Sequence, residues 1–221
     1  MRTVIFDLDG TLADTSGDLI AAANYCFDRR GYGPMLTVDT DRATALRGGR
    51  AMLTLGASRL GGQYGEDEIA EDYPVLLQAY GDAIDVYTTM YPGAVDAVQG
   101  LRAAGYATAI CTNKPEGLAE TLMQRLGVRD LFGSLIGADT LPTRKPDAAP
   151  VIASAERAGG QIERAVIIGD TQTDLDAGRA AGIPVVLVGF GPDPNALDGL
   201  NPDAVLSGFD DLHRVVGDLI G

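Results

Sequence analysis

Short apolar runs recur along the chain between longer amphipathic stretches. Each run is rich in β-branched or other apolar residues, a composition typical of buried strands. The predicted strands lie at 3–8, 106–112, 134–137, 165–170, 184–189 and 204–206. Helical patterns fill most of the intervals, and strands that alternate with helices form a parallel sheet with helices on both faces. The pattern therefore predicts an α/β fold with a Rossmann-like parallel sheet.

Prolines and glycines mark the ends of three predicted helices, at 92–104, 115–126 and 146–158. The helices begin with Pro92, Pro115 and Pro146, and they stop at Gly105, Gly127 and Gly159. Proline in the first turn and glycine just past the end are the expected asymmetry of helix termini. Residues 191–203 are rich in proline, glycine, aspartate and asparagine, and this composition predicts a surface loop.

Residues 15–88 break the alternation of strands and helices. They contain helical patterns at 16–30, about 41–60 and 66–80 but no convincing strand. We expect a helical cap domain at 15–88, inserted into a catalytic core that is formed by 1–14 and 89–221. A single long crossover inside one domain is the alternative, which the length of the segment disfavours.

Composition narrows the class of protein. No apolar run in the 221 residues approaches the length of a membrane span, so no membrane partner is expected. The formal net charge is −14, with 17 basic and 31 acidic residues, which argues against nucleic acid as a partner because phosphate backbones bind basic surfaces. A histidine base is not expected, since the chain has a single histidine. Met1 leads directly into the first strand, and the two cysteines lie in apolar contexts, so we expect a cytoplasmic protein with reduced thiols and no signal peptide.

Two carboxylates end the first predicted strand. Asp7 and Asp9 follow the apolar run at 3–6, and Gly10 and Thr11 come next. An Asp-x-Asp pair is often part of a turn or a cap, but carboxylates at the end of a buried strand are costly unless a cation compensates them. A hard divalent ion with oxygen ligands suits this position. The segment therefore predicts a metal-assisted carboxylate site.

Three further polar clusters follow or adjoin predicted strands, at 111–114, 144–146 and 169–174. The carboxyl ends of parallel strands lie at one edge of a sheet, so all four clusters are expected to converge there. Together they supply acids, a hydroxyl group, an ammonium group and backbone N–H groups. This set suits phosphoryl transfer, in which carboxylates hold Mg²⁺ while cations and hydroxyl groups stabilise the phosphoryl oxygens.

The four clusters resemble the four motifs of the haloacid dehalogenase superfamily, in its phosphatase branch. The matching residues, in chain order, are Asp7, Asp9, Thr11, Thr112, Lys145, Gly169, Asp170 and Asp174. The resemblance covers about 1–14 and 89–221, and the insertion lies where the family has its helical cap. An acid at position 9 favours phosphate esters, because the dehalogenases and phosphonatases of the superfamily lack an acid there.

This resemblance implies the catalytic and metal-binding roles. Asp7 would be the nucleophile that forms an aspartyl-phosphate, and Asp9 would protonate the leaving alkoxide and then activate water. Mg²⁺ would be held by Asp7, the backbone carbonyl of Asp9 and Asp170. Asp174 would support the metal site directly or through water.

The resemblance also implies how the phosphoryl group is bound. Thr112, Asn113 and Lys145 would bind it, and Lys145 would also neutralise the crowded acids. Thr112 and Asn113 could instead only cap the following helix, and Lys145 on its own could be a surface lysine; the other motifs favour a phosphate site. Thr11 would hold the turn after Asp9.

The implied substrate is a small phosphorylated metabolite. The segments around Asp9, Thr112 and Lys145 resemble phosphoglycolate phosphatases, so 2-phosphoglycolate is the expected substrate. Four arginines and no acid occupy residues 42–65, where adjacent glycines at 48 and 49 predict a bend. We expect Arg47 or Arg50 to bind the carboxylate of the substrate; the alternative is that they lie on a solvated helix face.

Other functions on the same fold stay open. A phosphomutase resembling β-phosphoglucomutase, a broad sugar-phosphate or nucleotide phosphatase and a pyrophosphatase would fit similar motifs. A non-catalytic binding protein is disfavoured because Asp7, Asp9, Lys145 and Asp170 are all present. The motifs are compatible with a monomer or a homodimer.

Overall fold

The computed structural model describes residues 1–191 and 196–221. The strands are β1 (Thr3–Phe6), β2 (Ala13–Asp14), β3 (Thr89–Met90), β4 (Ala107–Cys111), β5 (Ser134–Ile136), β6 (Ala165–Gly169), β7 (Val185–Val188) and β8 (Ala204–Leu206). Across these described ranges, six strands form one parallel sheet in the order β5-β4-β1-β6-β7-β8. Each of the six coincides with a predicted apolar run, whereas the two-residue strands β2 and β3 were not predicted. The predicted loop at 191–203 includes 192–195, which lie outside the described residues.

The helices fill the intervals between the strands. They are α1 (Ser16–Arg29), α2 (Val38–Ala45), α3 (Gly49–Ser58), α4 (Glu66–Asp82), α5 (Ala94–Ala103), α6 (Glu116–Arg125), α7 (Ala148–Arg157), α8 (Gln172–Ala181) and α9 (Leu212–Ile220), with 3₁₀ turns at Arg129–Leu131, Ile162–Arg164 and Phe209–Asp211. In the described part of the chain, none of these helices is long and apolar enough to cross a membrane.

The structure confirms the predicted ends of these three helices but not their predicted starts. Gly105, Gly127 and Gly159 follow α5, α6 and α7 and take positive φ angles of 83°, 71° and 81°, which glycine adopts without strain. The prediction that proline occupies the first helical turn is wrong, because each helix begins after its proline. Before α7, the carboxylate of Asp147 accepts a hydrogen bond from the backbone N–H of Ala149 at 2.8 Å. This side-chain cap fixes the start of the helix beyond Pro146.

Strand β1 lies at the centre of the sheet, between β4 and β6. Its last residue, Phe6, is in register with Ile110 of β4 and Ile168 of β6. The chain extends the sheet from β1 through β4 and β5, then returns to the other side of β1 with β6. In open α/β sheets, ligands bind beyond the carboxyl ends of the strands at such a change of direction. The residues that follow β1, β4 and β6 therefore share one edge.

Helices cover both faces of the sheet. Ile5 and Ile167 belong to a buried cluster with Val151 of α7 and Leu175 of α8. Helices α5 and α9 pack against the sheet through β4, β6 and β8. The strands are apolar without alternation because parallel strands are buried on both faces.

The chain divides into two compact units. One comprises Met1–Ala13 and Met90–Gly221 and contains the sheet, and the other comprises Asp14–Thr89 and contains α1 to α4. The chain passes from one unit to the other at β2 and returns at β3.

The helical unit has an internal framework of its own. The single helical pattern predicted at about 41–60 is two helices, α2 and α3, and Gly48 between them has a φ of +96°, as the adjacent glycines predicted. The carboxylate of Asp72 in α4 accepts hydrogen bonds from Arg30 Nε at 2.7 Å and from the Tyr64 hydroxyl at 2.6 Å. This buried acid therefore joins α4 to the end of α1.

Candidate active site

Asp7 follows the central strand directly. Its backbone N–H donates to the carbonyl of Ile168 at 2.8 Å, so the chain remains in register with β6 up to this residue. The Oδ1 atom of Asp7 accepts a hydrogen bond from the N–H of Leu8 at 2.7 Å and lies 3.0 Å from Lys145 Nζ. The sheet therefore holds this buried carboxylate in one place beside a cation.

Lys145 lies between two carboxylates. Its Nζ donates to Asp174 Oδ1 at 2.6 Å as well as contacting Asp7, and its backbone carbonyl accepts from Asn113 Nδ2 at 3.0 Å. Burial alone would lower the pKa of Lys145, but the adjacent carboxylates of Asp174 and Asp7 outweigh burial and raise this pKa above its usual value. The ammonium group therefore stays charged in the site.

Asp174 is fixed by the first turn of α8. Its Oδ2 accepts from the N–H groups of Asp170 and Thr171 at 3.3 and 3.1 Å and from the Thr171 hydroxyl at 2.7 Å, as part of a capping box. Its Oδ1 is bound by Lys145. Both oxygens of this fully buried carboxylate are thus engaged by protein donors.

Three buried acids offer a site for a hard cation. Carboxylate oxygens of Asp7, Asp170 and Asp174 lie within 4.8 Å of one another. Burial raises the pKa of Asp7 to about 7, with the Lys145 ammonium lowering it and the neighbouring Asp174 and Asp9 raising it further. Burial, followed by the charges of Asp174 and Asp7, also raises the pKa of Asp170 well above its usual value. These oxygen donors lack enough compensating positive charge, and they suit a hard divalent cation.

Asp9 is paired with a second buried lysine. Lys114 Nζ lies 2.8 Å from Asp9 Oδ1, and the Lys114 side chain is only 4% exposed. The carboxylate of Asp9 does not belong to the group of three acids found in the described residues. A metal contact through the backbone carbonyl of Asp9 therefore stays a prediction from the sequence.

The remaining predicted residues of the sheet unit adjoin this centre. Thr112 is buried after β4, and its Oγ1 accepts from the N–H of Lys114 at 3.1 Å. Asn113 is exposed and fixes the Lys145 loop through its side-chain amide. The Thr11 hydroxyl donates to Asp170 Oδ1 at 3.2 Å, so Thr11 links the turn after Asp9 to the end of β6 rather than only holding that turn.

One protein family matches a range of residues that includes all four motifs. The family described as haloacid dehalogenase-like hydrolase matches residues 4–188, which is most of the chain. The chain belongs to this family. The resemblance that the four motifs carry in the sequence is thereby confirmed.

Several relatives of this hydrolase are named phosphoglycolate phosphatase. The phosphoglycolate phosphatase of Caulobacter vibrioides is 37% identical over 219 residues, covering 96% of this chain and 89% of the relative. The phosphoglycolate phosphatase of Mesorhizobium japonicum is 37% identical over 214 residues, covering 95% and 92%. The crystal structure of a predicted phosphoglycolate phosphatase from Haemophilus somnus 129PT shares the fold, with a TM-score of 0.84 at 24% identity and 97% coverage of both chains.

The arginines of the hydrolase's helical unit differ in their partners. Arg59 binds the buried Asp41, Arg42 lies 3.6 Å from Asp14, and Arg50 Nη2 lies 2.5 Å from Glu66 Oε2. Arg47 is exposed and has no ion pair among the described residues. Arg47 and Arg50 both line an open cavity of about 550 Å³ formed by α2, α3 and the turn between them.

Lys114 is the main site residue of the hydrolase that sequence reasoning left without a role. A signal was present, because only two of the 17 basic residues are lysines and both lie in the polar clusters at 111–114 and 144–146. The structure buries both of them beside carboxylates of the site. In a chain that otherwise uses arginine for its basic side chains, this placement marks the two lysines as specialised.

Proposed function

We propose that this hydrolase cleaves 2-phosphoglycolate through a phosphorylated Asp7, with Mg²⁺ as the metal. Hydrolysis of a phosphoric monoester is the reaction of its named relatives. The observation that carries the mechanism is the placement of Asp7, which the sheet fixes between Lys145 and the other acids. A carboxylate held in this way is a suitable nucleophile.

In the first step, an Asp7 oxygen attacks phosphorus. The new bond joins Asp7 to phosphorus, and the bond between phosphorus and the ester oxygen breaks. Asp9 gives a proton to the departing glycolate oxygen. Lys145, which contacts Asp7, and Thr112, which follows the neighbouring strand β4, would bind the phosphoryl oxygens, whose charge is spread in the transition state.

In the second step, water hydrolyses the aspartyl-phosphate. Asp9, now a carboxylate, takes a proton from the water as its oxygen bonds to phosphorus. The bond between Asp7 and phosphorus breaks, and inorganic phosphate leaves. The same side chain thus returns to its starting state after each turnover.

The acids are placed to hold the metal. Asp7 and Asp170 would be its side-chain ligands, with the backbone carbonyl of Asp9. Asp174 would support them through its hydrogen bonds, because both of its oxygens already bind protein donors. Mg²⁺, when bound, neutralises the negative charge of the carboxylates and of the phosphoryl group.

The helical unit would supply substrate selection. We propose that Arg47 binds the carboxylate of 2-phosphoglycolate and that Arg50, which already pairs with Glu66, contributes less. Replacing Arg47 by Ala should raise KM for 2-phosphoglycolate far more than KM for a neutral alkyl phosphate. Arg157 of α7, an exposed arginine of the other unit, offers a matched control for the loss of one charge. Equal changes of KM for both substrates would overturn the assignment.

The first test is phosphate release from a panel of small phosphate esters with and without Mg²⁺, using Asp7→Asn as the blank. We expect a preference for 2-phosphoglycolate, dependence on Mg²⁺ and loss of activity in the variant. Acid-quenched wild type should carry a phosphoryl group on Asp7, detected by intact-protein and peptide mass spectrometry. Broad, weak activity would discard the substrate and keep the mechanism, and a requirement for a bisphosphate activator would indicate a mutase.

A further inference from the structure

The two lysines contact different acids of the site. Lys145 contacts Asp7 and Asp174, whereas Lys114 contacts Asp9. Lys114 is 7% exposed, and burying an ammonium group is costly unless a carboxylate compensates it. The motif comparison assigns Lys145 to the phosphoryl group but gives Lys114 no role.

Lys114 is held on a rigid segment of backbone. Its N–H donates to Thr112 Oγ1 at 3.1 Å, and its carbonyl accepts from the N–H of Ala138 at 2.9 Å. The backbone N–H of Thr112 in turn donates to Ile136 of the neighbouring strand at 2.9 Å. The sheet therefore determines where the Lys114 side chain starts, as a positioning group requires.

Asp9 is more exposed than Asp174 and about as exposed as Asp7, whose side chain is 12% exposed. The Asp9 side chain is 14% exposed, whereas Asp174 is fully buried within a capping box. The next residue, Gly10, has a φ of +84° and its N–H donates to Ala13, so the backbone of the turn is fixed while solvent still reaches the carboxylate. This carboxylate is not one of the three clustered acids of the described residues, and its ion pair is with Lys114.

We propose that Lys114 is a positioning residue that holds the Asp9 carboxylate as the proton acceptor for hydrolysis of the aspartyl-phosphate. This inference rests on the proposed function. In that step water gives a proton to Asp9, the water oxygen bonds to phosphorus, and the bond to Asp7 breaks. An ammonium group at 2.8 Å holds the carboxylate in one orientation, which is what this step requires. Phosphorylation of Asp7 by an ester with a good leaving group needs no proton donor and should not depend on Lys114.

The test separates the two steps by rapid-quench kinetics with p-nitrophenyl phosphate and Mg²⁺. Nitrophenolate release reports phosphorylation, and phosphate release reports dephosphorylation. In Lys114→Met we expect phosphorylation within about threefold of wild type and dephosphorylation slowed about tenfold or more, since general acid–base catalysis contributes about 10²–10⁴-fold. A burst of nitrophenolate and accumulation of phosphorylated Asp7 should follow.

Three further variants complete the experiment. Lys114→Arg should restore much of the dephosphorylation rate, because it retains the charge. Lys114→Gln should give the kinetics expected of Lys114→Met, and it takes the place of that variant if the methionine variant does not fold. Arg157→Met removes an exposed positive charge from α7 and should leave the ratio of the two rates unchanged. Equal slowing of both steps in Lys114→Gln, or an effect on KM alone, would overturn the inference while leaving the proposed function intact. A wild-type protein that neither phosphorylates Asp7 nor releases phosphate would overturn both.

Discussion

At the scale of single residues, the site holds more negative charge than its own cations compensate. Asp7, Asp170 and Asp174 share one buried region, and within the described structure the lysine that contacts two of them is Lys145. The raised pKa values of Asp7 and Asp170 express this imbalance. A bound divalent cation would relieve it, so metal binding, pH and stability should be linked.

The first prediction concerns stability without metal. The pKa of Asp7 is about 7 in the folded chain and close to 4 when unfolded, so the folded state binds more protons between these values. The contribution of Asp7 to stability is therefore greatest at low pH and is lost as pH rises from about 4 to 7. In EDTA at pH 8, Asp7→Asn should be more stable than wild type by about 1–3 kcal/mol, or several degrees in Tm.

Thermal melts with and without Mg²⁺ check this prediction. Mg²⁺ should raise the Tm of the wild type more at pH 8 than at pH 5, and it should raise the Tm of Asp7→Asn much less. Equal Tm values for wild type and variant in EDTA at pH 8 would show that the buried charge of Asp7 is compensated without metal.

The second prediction concerns the glycine that ends β6. A Cβ atom at Gly169 would overlap the Cβ and Cγ atoms of Asp174, so alanine must displace this side chain. Because Asp174 binds Lys145, Gly169→Ala should lower kcat at least about tenfold and destabilise the fold by about 1–3 kcal/mol. Gly117 in α6 serves as the control, because outside its own helix no atom of the described residues lies within 4 Å of the place that a Cβ would take. Gly117→Ala should retain activity and gain about 0.5–1 kcal/mol in stability.

At the scale of elements, strands were more predictable than helix starts. A buried parallel strand is recognised in the sequence as an apolar run. The position of the site can be predicted where an acid directly follows such a run, as Asp7 follows Phe6. Helix starts depend on which side chain caps the first turn, so the carboxylate of Asp147 decides the start of α7 although Pro146 suggests an earlier one. Pairings between distant residues, such as Lys114 with Asp9, have no local signature.

A third prediction concerns such a distant pairing within the helical unit. The buried carboxylate of Asp18 in α1 accepts hydrogen bonds from the N–H groups of Tyr87 and Thr88 and from the Thr88 hydroxyl, at 2.7–3.0 Å. Asp18→Ala would leave these donors without their carboxylate. We expect a loss of about 2–4 kcal/mol in the stability of this unit, since each unsatisfied buried donor costs about 1–3 kcal/mol.

Urea unfolding followed by circular dichroism measures this loss, because the unit is largely helical. Asp28→Ala removes an exposed acid from the same helix and should change stability by less than about 0.5 kcal/mol. Similar midpoints for both variants would show that Asp18 does not stabilise the return of the chain at 87–88.

At the scale of the whole molecule, the protein and its proposed substrate both carry negative charge. The protein carries a formal charge of −14, and 2-phosphoglycolate is an anion, so their long-range interaction is repulsive even if the site itself is attractive. The repulsion acts over the Debye length, which falls from about 30 Å at 0.01 M to about 8 Å at 0.15 M ionic strength.

The last prediction follows from this screening. Between these ionic strengths, at constant free Mg²⁺, kcat/KM for 2-phosphoglycolate should rise about two- to fivefold if association limits the reaction. A less charged phosphate ester, turned over by the same Asp7, should show a smaller rise, which controls for effects of salt on the chemistry. A fall of kcat/KM with salt would mean that local cations such as Arg47 and Lys145 steer the substrate and outweigh the net charge. The sign of the salt dependence therefore tells whether the local or the global field governs entry to the site.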